Sequence, residues 1–131
     1  MACSDNVVRA GLTPKFKDID TLTSMLHYEP GRADRFKMHW QTIDEYAQIC
    51  TPPVPDFAMA RVTLPAAAQA AYALPIRSSA SILLLLQGQV RIDDVGEFGF
   101  GQILFVKANE QLTLTSRGAD DLVIYQAFSN V

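Results

Sequence analysis

The sequence predicts an all-β domain, a sandwich or jelly roll, over residues 57–131. Short apolar stretches of strand length recur in this region at regular spacing, and turn-forming Gly, Asn and Asp residues separate them. The stretch 89–92 alternates polar and apolar residues, as a half-buried strand does. Apolar residues make up 49% of the 131-residue chain, which is enough to form a core.

Six strands are predicted in this β-region. They are residues 57–64, 81–86, 89–92, 102–106, 111–115 and 122–127. The second is an unusually apolar run, so we expect both of its faces to be buried. Gly88 allows a turn or bulge after it, and Gly96, Gly99 and Gly101 are expected in turns.

An alanine-rich run, residues 66–73, separates the first two predicted strands. Alanine favours a helix by its intrinsic propensity. The run lies between Pro65 and Pro75, however, and proline interrupts helical hydrogen bonding. We therefore expect an extended or turn conformation here.

A loop and a short helix are predicted in residues 1–29. Asp20 is suited to cap the helix, because a carboxylate accepts hydrogen bonds from the amides of the first turn. Leu22, Met25 and Leu26 follow at helical spacing on one face. A helix of about two turns is stable only when it packs against other structure.

An irregular linker is predicted over residues 30–56. It begins with Pro30-Gly31, which ends the helix, and it contains three prolines within 52–55. Proline removes amide donors and favours extended backbone, so we expect this segment to lie along a surface. Trp40 is expected to pack on its own domain.

Charge and cysteine content exclude several classes of protein. The net charge is −3, and no basic block exists that would neutralise a nucleic-acid backbone. The longest apolar run, 82–86, is far shorter than the roughly 20 residues of a membrane span. The first residues lack a signal-peptide pattern, and two widely separated cysteines fit free cytosolic thiols better than a secreted disulfide framework. We therefore expect a cytoplasmic protein that binds neither nucleic acid nor membrane.

The segment 4–16 reads Ser-Asp-Asn-Val-Val-Arg-Ala-Gly-Leu-Thr-Pro-Lys-Phe, and further matching positions continue to Tyr28. It closely resembles the signature of the type I mannose-6-phosphate isomerases. The later stretches 56–57, 79–84 and 104–110 also resemble the C-terminal jelly roll of that family. Residues 31–50 match poorly.

The resemblance implies a cupin-like jelly roll and a zinc enzyme that interconverts mannose 6-phosphate and fructose 6-phosphate for GDP-mannose supply. It implies that residues 1–29 are a remnant of the catalytic cupin domain, 30–56 a linker and 57–131 the C-terminal jelly roll. Family members carry a segment like Met-Ala-Cys-Ser-Asp internally, so Met1 is expected to be an internal methionine of a longer ancestor. A truncated gene prediction, an alternative product and a degenerate copy all remain open.

Two cations of the signature are assigned roles by the resemblance. Arg9 aligns with the active-site arginine, and a permanently charged guanidinium suits the negative charge that develops during aldose–ketose isomerisation. Lys15 aligns with the lysine that reaches the phosphate of the substrate, which is a phosphorylated hexose. Gly11 and Pro14 are expected to shape the loop.

Metal ligands are the notable gap in this sequence. The family binds zinc through a Gln, two His and a Glu that all precede the signature. The only histidines here are His27 and His39, in no paired spacing, and Gln111 stands where a cupin histidine would be expected. We therefore expect this chain to bind no zinc, with a site built from Cys50 and one histidine as a remote alternative.

Two functions follow. The first is that of an isomerase C-terminal portion that lacks the zinc site and is inactive alone. The alternative is a non-catalytic jelly-roll module that binds a ligand or associates with another chain, including self-association, through surface left exposed.

Overall fold

The computed structural model describes residues 8–66 and 71–130. The chain divides into two compact units, Met1–Lys37 and Met38–Val131, which we call the N-terminal unit and the β-unit. The N-terminal unit contains one helix, α1 (Ile19–Met25), and a 3-10 turn at Ala33–Phe36. All strands within the described residues belong to the β-unit.

The β-unit is built from ten strands in two antiparallel sheets. They are β1 (Gln41–Thr42), β2 (Ala47–Cys50), β3 (Ala58–Leu64), β4 (Ala71–Ala73), β5 (Ser81–Gln87), β6 (Gln89–Ile92), β7 (Gly96–Gly99), β8 (Ile103–Val106), β9 (Thr113–Arg117) and β10 (Leu122–Phe128). The larger sheet has the order β1-β2-β3-β10-β5-β8, and the smaller has the order β4-β9-β6-β7. The predicted all-β fold is confirmed, and the two-sheet arrangement is consistent with a cupin-like fold.

The core lies between the two sheets and is almost entirely aliphatic. Alternate residues of β3, β5 and β10 meet inward residues of β6 and β9. Leu83, Leu85, Leu114 and Ile124 are fully buried. Each such side chain contributes about 1.5–3 kcal/mol through its removal from water.

Gly88 turns the chain from the larger sheet into the smaller one. It lies between β5 and β6 with a φ of +77°, in the left-handed region that L side chains rarely adopt. Opposite this corner, the register of β5 against β10 shifts between Val123 and Ile124, which leaves Leu86 as the extra residue of a bulge. The predicted turn or bulge at Gly88 is confirmed.

The segment expected to be an irregular linker contains two strands. β1 and β2 pair with each other, and β2 continues the larger sheet by pairing with β3. The segment 46–50 is too short to be recognised as a strand from its sequence pattern alone. Its conformation depends on pairing with β3. The proline cluster 52–55 forms no strand, as predicted. The domain boundaries drawn from the sequence stay a proposal.

Two other predictions about strands were wrong. β5 is buried on one face only, because its inward residues face the core while Ile82 and Leu86 are exposed. Gly96 and Gly99 begin and end β7, which pairs with β6 through a tight hairpin. The turn of that hairpin is supplied instead by 93–95, where Asp94 has a φ of 61°.

The remaining strand predictions match the structure closely. β3, β6, β8 and β10 lie within one residue of the predicted bounds, whereas β9 begins two residues later than expected. In the alanine-rich run, 71–73 form the extended β4, and 67–70 fall outside the described residues. No helix among the described residues is long and apolar enough to cross a membrane.

Candidate functional site

The two cations of the signature lie on one loop of the N-terminal unit. The backbone N–H of Asp18 donates to the carbonyl oxygen of Arg9 at 2.9 Å, which closes the loop that carries both Arg9 and Lys15. Within it, the N–H of Lys15 donates to the Thr13 hydroxyl at 3.2 Å. The loop is therefore defined by its own hydrogen bonds.

Asp18 joins this loop to α1. Its carboxylate accepts from the backbone N–H of Thr21 at 3.0 Å and from the Thr21 hydroxyl at 2.7 Å, so it is the N-cap of the helix. These two hydrogen bonds hold the pKa of the Asp18 carboxyl below its ordinary value. The prediction that Asp20 caps the helix was wrong, because Asp20 already lies inside the first turn.

The N-terminal unit has no buried core within residues 8–37. Lys15 is exposed and Arg9 is partly exposed. Met25 and Leu26, predicted on the apolar face of the helix, are also exposed, as is Phe16 in the loop. A seven-residue helix without a buried face has little stability of its own.

Neither cation is engaged by a carboxylate in the described part of the chain. The ion pairs found there join Arg35 to Glu29, Lys37 to Asp34 and Lys107 to Glu110. All of these pairs are substantially exposed and contribute little to stability. Within the described residues, Arg9 and Lys15 therefore keep their side-chain donors for another acceptor.

Comparison with known proteins shows which proteins this chain is similar to. No family model matches the sequence. The chain is 45% identical to mannose-6-phosphate isomerase of Rattus norvegicus and 41% identical to that of Homo sapiens, in each case over 97% of its length. It is 38% identical to mannose-6-phosphate isomerase 1 of Arabidopsis thaliana over 99% of its length. The chain is homologous to the C-terminal part of the mannose-6-phosphate isomerases.

Solved phosphomannose isomerase structures agree with this assignment. Two point mutants of the enzyme from Salmonella typhimurium superpose with TM-scores of 0.75 and 0.76 at 25% identity, and each match covers 99% of this chain. The matches cover only 33% and 32% of those chains. Likewise, this chain spans about 31% of the length of the rat and human isomerases.

No side-chain cluster in the described part of the chain matches the zinc site that the sequence resemblance implies. No three His, Cys, Asp or Glu side chains among residues 8–66 and 71–130 lie close enough to hold a metal ion. His27 and His39 are both exposed and belong to different units. The expectation that this chain binds no zinc stays a prediction.

Gln111 has a structural role at the position where a cupin histidine was expected. Its side-chain Nε2 donates to the carbonyl oxygen of Leu74 at 2.9 Å and to that of Leu112 at 3.3 Å. These bonds tie the chain after β4 to the chain before β9. The side chain thus satisfies backbone acceptors instead of pointing at a ligand.

Asp44 and Tyr72 form a polar contact that the sequence analysis missed. Asp44 accepts from the backbone N–H groups of Tyr46 and Ala47 and from the Tyr72 hydroxyl, each at 2.8 Å. Burial opposes ionisation of Asp44, but these bonds outweigh it and lower its pKa. Burial and the contact with Asp44 raise the pKa of Tyr72. Asp44 is thus held ionised in the turn between β1 and β2.

Trp40 packs on the β-unit, as expected. Its ring meets Tyr125 edge to face, with 6.0 Å between centroids, and the Arg61 guanidinium lies 5.4 Å from the Trp40 centroid. Cys50, part of the remote alternative metal site, is a free thiol within β2.

Proposed function

We propose that this chain contributes the cationic part of a phosphosugar site to mannose-6-phosphate isomerase activity and has no turnover alone. The proposal is carried by one observation: the loop closed between Arg9 and Asp18 holds two cations without carboxylate partners in the described residues. Homology to the isomerases supports a phosphorylated hexose as the ligand. The reaction would serve GDP-mannose supply in the cytoplasm.

Arg9 is proposed to stabilise the negative charge that develops on the sugar oxygens. Moving a proton between adjacent carbons of an aldose passes through an enediol-like intermediate, whose oxygens carry charge. A guanidinium placed in advance stabilises that charge without reorganisation, and it stays protonated at any working pH.

Lys15 is proposed to bind the phosphate of the hexose. An ammonium on a flexible stem is a common partner of a phosphate dianion. Its side chain is exposed on the same loop as Arg9, and the hydrogen bond from the Lys15 backbone N–H to the Thr13 hydroxyl constrains the backbone from which the side chain extends. Binding at the phosphate would hold the sugar for the chemistry at its other end.

The absence of turnover is proposed from the donor set of this chain. Zinc requires about three or four His, Cys, Asp or Glu ligands in a fixed geometry. His27, His39 and Cys50 do not provide that set, and Gln111 is committed to backbone carbonyls. Other polypeptide would have to supply the metal site.

Purified 131-residue protein with added zinc is expected to show no interconversion of mannose 6-phosphate and fructose 6-phosphate above the rate without protein. A coupled assay measures the product, with the rat isomerase as the positive control. Zinc-dependent turnover that EDTA abolishes and that Arg9→Gln removes would refute the proposal. Turnover that survives Arg9→Gln would indicate a contaminating isomerase.

A second candidate function, association of the β-unit with another copy, is favoured by the edge strand β8. One side of β8 pairs with β5, and its other side is the open edge of the larger sheet. Ile103 and Phe105 on this strand are 66% and 71% exposed, and Ile82, the β5 partner of Phe105, is 50% exposed. Residues 103–106 contain no charge and no proline, the devices that usually protect an edge.

We expect two copies to pair through β8, with the two β8 strands antiparallel and related by a two-fold axis. Each copy then covers the exposed apolar strand of the other. Light scattering during size-exclusion chromatography should show a mass that rises from monomer to dimer with concentration. Phe105→Lys should restore the monomer, whereas Phe100→Lys, at an exposed residue outside the strand, should leave the dimer intact. A concentration-independent monomer would rule this association out.

A further inference from the structure

Arg77 is a partly buried cation in the segment between β4 and β5. Its guanidinium lies 3.9 Å from the centroid of the Phe128 ring, and its Nε donates to Oε1 of Gln126 at 3.3 Å. Its backbone carbonyl accepts from the N–H of Asn109 at 2.7 Å. Gln126 is itself fully buried and donates to the hydroxyl of Ser81. Backbone, ring and amide therefore fix the position of this guanidinium.

No carboxylate balances the charge of Arg77 among the described residues. The ion pairs found there involve other cations, and the Nη2 atom is buried without a hydrogen-bond partner. Burial lowers the pKa of Arg77, and the nearby Tyr72 opposes that shift only in part. A cation withdrawn from water without a counter-charge is unfavourable, and a neutral amide and a ring face compensate for it incompletely.

A cavity of about 220 Å³ has Arg77 in its lining. Arg77 lines it together with Ser78, Ser129 and Asn130, which offer hydroxyl, amide and backbone donors. Phe128 and Ile76 complete the wall, and within residues 8–66 and 71–130 no Asp or Glu lines it. The Ser79 hydroxyl donates to the Ser129 carbonyl oxygen at 3.0 Å and holds that part of the wall in place. Among the described residues, the lining therefore offers donors to an anion and no Asp or Glu side chain to a cation.

We infer that this cavity binds a small oxyanion, a carboxylate or a phosphate group, through the Arg77 guanidinium. Because Nε already donates to Gln126, the Nη groups are the donors that remain for charge-assisted hydrogen bonds to the oxygens of either group. The Phe128 ring and Gln126 orient the guanidinium before binding, so little side-chain entropy is lost. The site lies in the β-unit and does not depend on the roles proposed for Arg9 and Lys15.

The test uses isotope-labelled protein that carries Arg9→Gln and Lys15→Gln, so that phosphate binding at the signature loop is removed. Inorganic phosphate and acetate are titrated separately at constant ionic strength, and the Arg77 Nε–Hε resonance is followed by NMR. We expect saturable shifts of this resonance and of the Ser78 and Asn130 amides. A response to phosphate alone, or to acetate alone, identifies which oxyanion the cavity accepts.

Two variants and one control decide whether Arg77 is responsible. Arg77→Gln and, independently, Asn130→Asp are each expected to weaken anion binding at least about tenfold, the latter because it places a carboxylate in the cavity. Asn130→Asp keeps the arginine and its packing, so its result does not depend on how well Arg77→Gln folds. Arg91→Gln, at an exposed arginine of β6, should leave binding unchanged.

The inference is overturned if neither anion shifts the Arg77 resonance saturably, or if Asn130→Asp binds anions as tightly as the parent protein. Equal weakening by Arg91→Gln would also overturn it, because the response would then reflect general surface charge. In each of these cases Arg77 would act only as a structural cation on the Phe128 ring. None of these outcomes bears on the proposed isomerase role of Arg9.

Discussion

Replacing Arg9 with Gln in an active isomerase chimaera is expected to lower kcat about 10²–10³-fold. The chimaera would carry residues 1–131 of this chain in place of the matching part of the rat isomerase, which is about 31% of that enzyme. Glutamine keeps hydrogen-bond donors but removes the charge, so the loss should fall on the charged transition state. Steady-state kinetics with mannose 6-phosphate measure it.

Substitutions at Lys15 and Lys17 in the same chimaera test the proposed binding role of Lys15 separately from the chemistry. If Lys15 binds the phosphate equally in ground and transition states, Lys15→Gln should raise KM with a smaller change in kcat. Lys17 is exposed nearby and has no assigned role, so Lys17→Gln is the matched control and should leave both parameters unchanged. A chimaera whose kcat is insensitive to Arg9→Gln would contradict the electrostatic role of that residue.

The strands were largely predictable because their signals are local. The alternation of 89–92 gave the bounds of β6 directly, and the apolar runs gave β3 and β10 to within one residue. The two-strand extension at 41–50 was missed because short strands depend on their partners: β2 exists through its pairing with β3. Pattern alone also overestimated the burial of β5, since only its face toward the core is covered and Ile82 and Leu86 on the other face are exposed.

The sequence predicted which residues belong to the candidate site, but it did not predict which other residues hold them in position. The signature predicted Arg9 and Lys15 as site residues without any structure, and their roles stay a prediction. It did not identify Asp18, whose backbone closes the loop while its side chain caps the helix, because Asp20 two residues later fits the same capping pattern. Arg77 gave no sequence signal at all. Its unusual position arises from Gln126 and Phe128, which are about fifty residues away along the chain.

Gly88→Ala is expected to cost about 2–5 kcal/mol of the unfolding free energy, the largest loss we expect from adding a single methyl group. A Cβ at this position would lie 2.7 Å from the carbonyl oxygen of Asp121 and 3.0 Å from Cα of Leu122. These are backbone atoms at the start of β10, so the clash can be relieved only if β10 moves. The left-handed φ adds about 1–2 kcal/mol for any L side chain. Urea unfolding followed by circular dichroism measures the change.

The matched control is Gly99→Ala at the end of β7, where an added Cβ has no atom within 4 Å and φ is not left-handed. There the methyl group restricts the unfolded chain without straining the folded one, so stability should be unchanged or higher by up to about 1 kcal/mol. The two substitutions add the same atoms, and their difference therefore isolates the corner between the sheets. Equal urea midpoints would mean that β10 accommodates the methyl group, and that the passage from β5 to β6 does not require glycine.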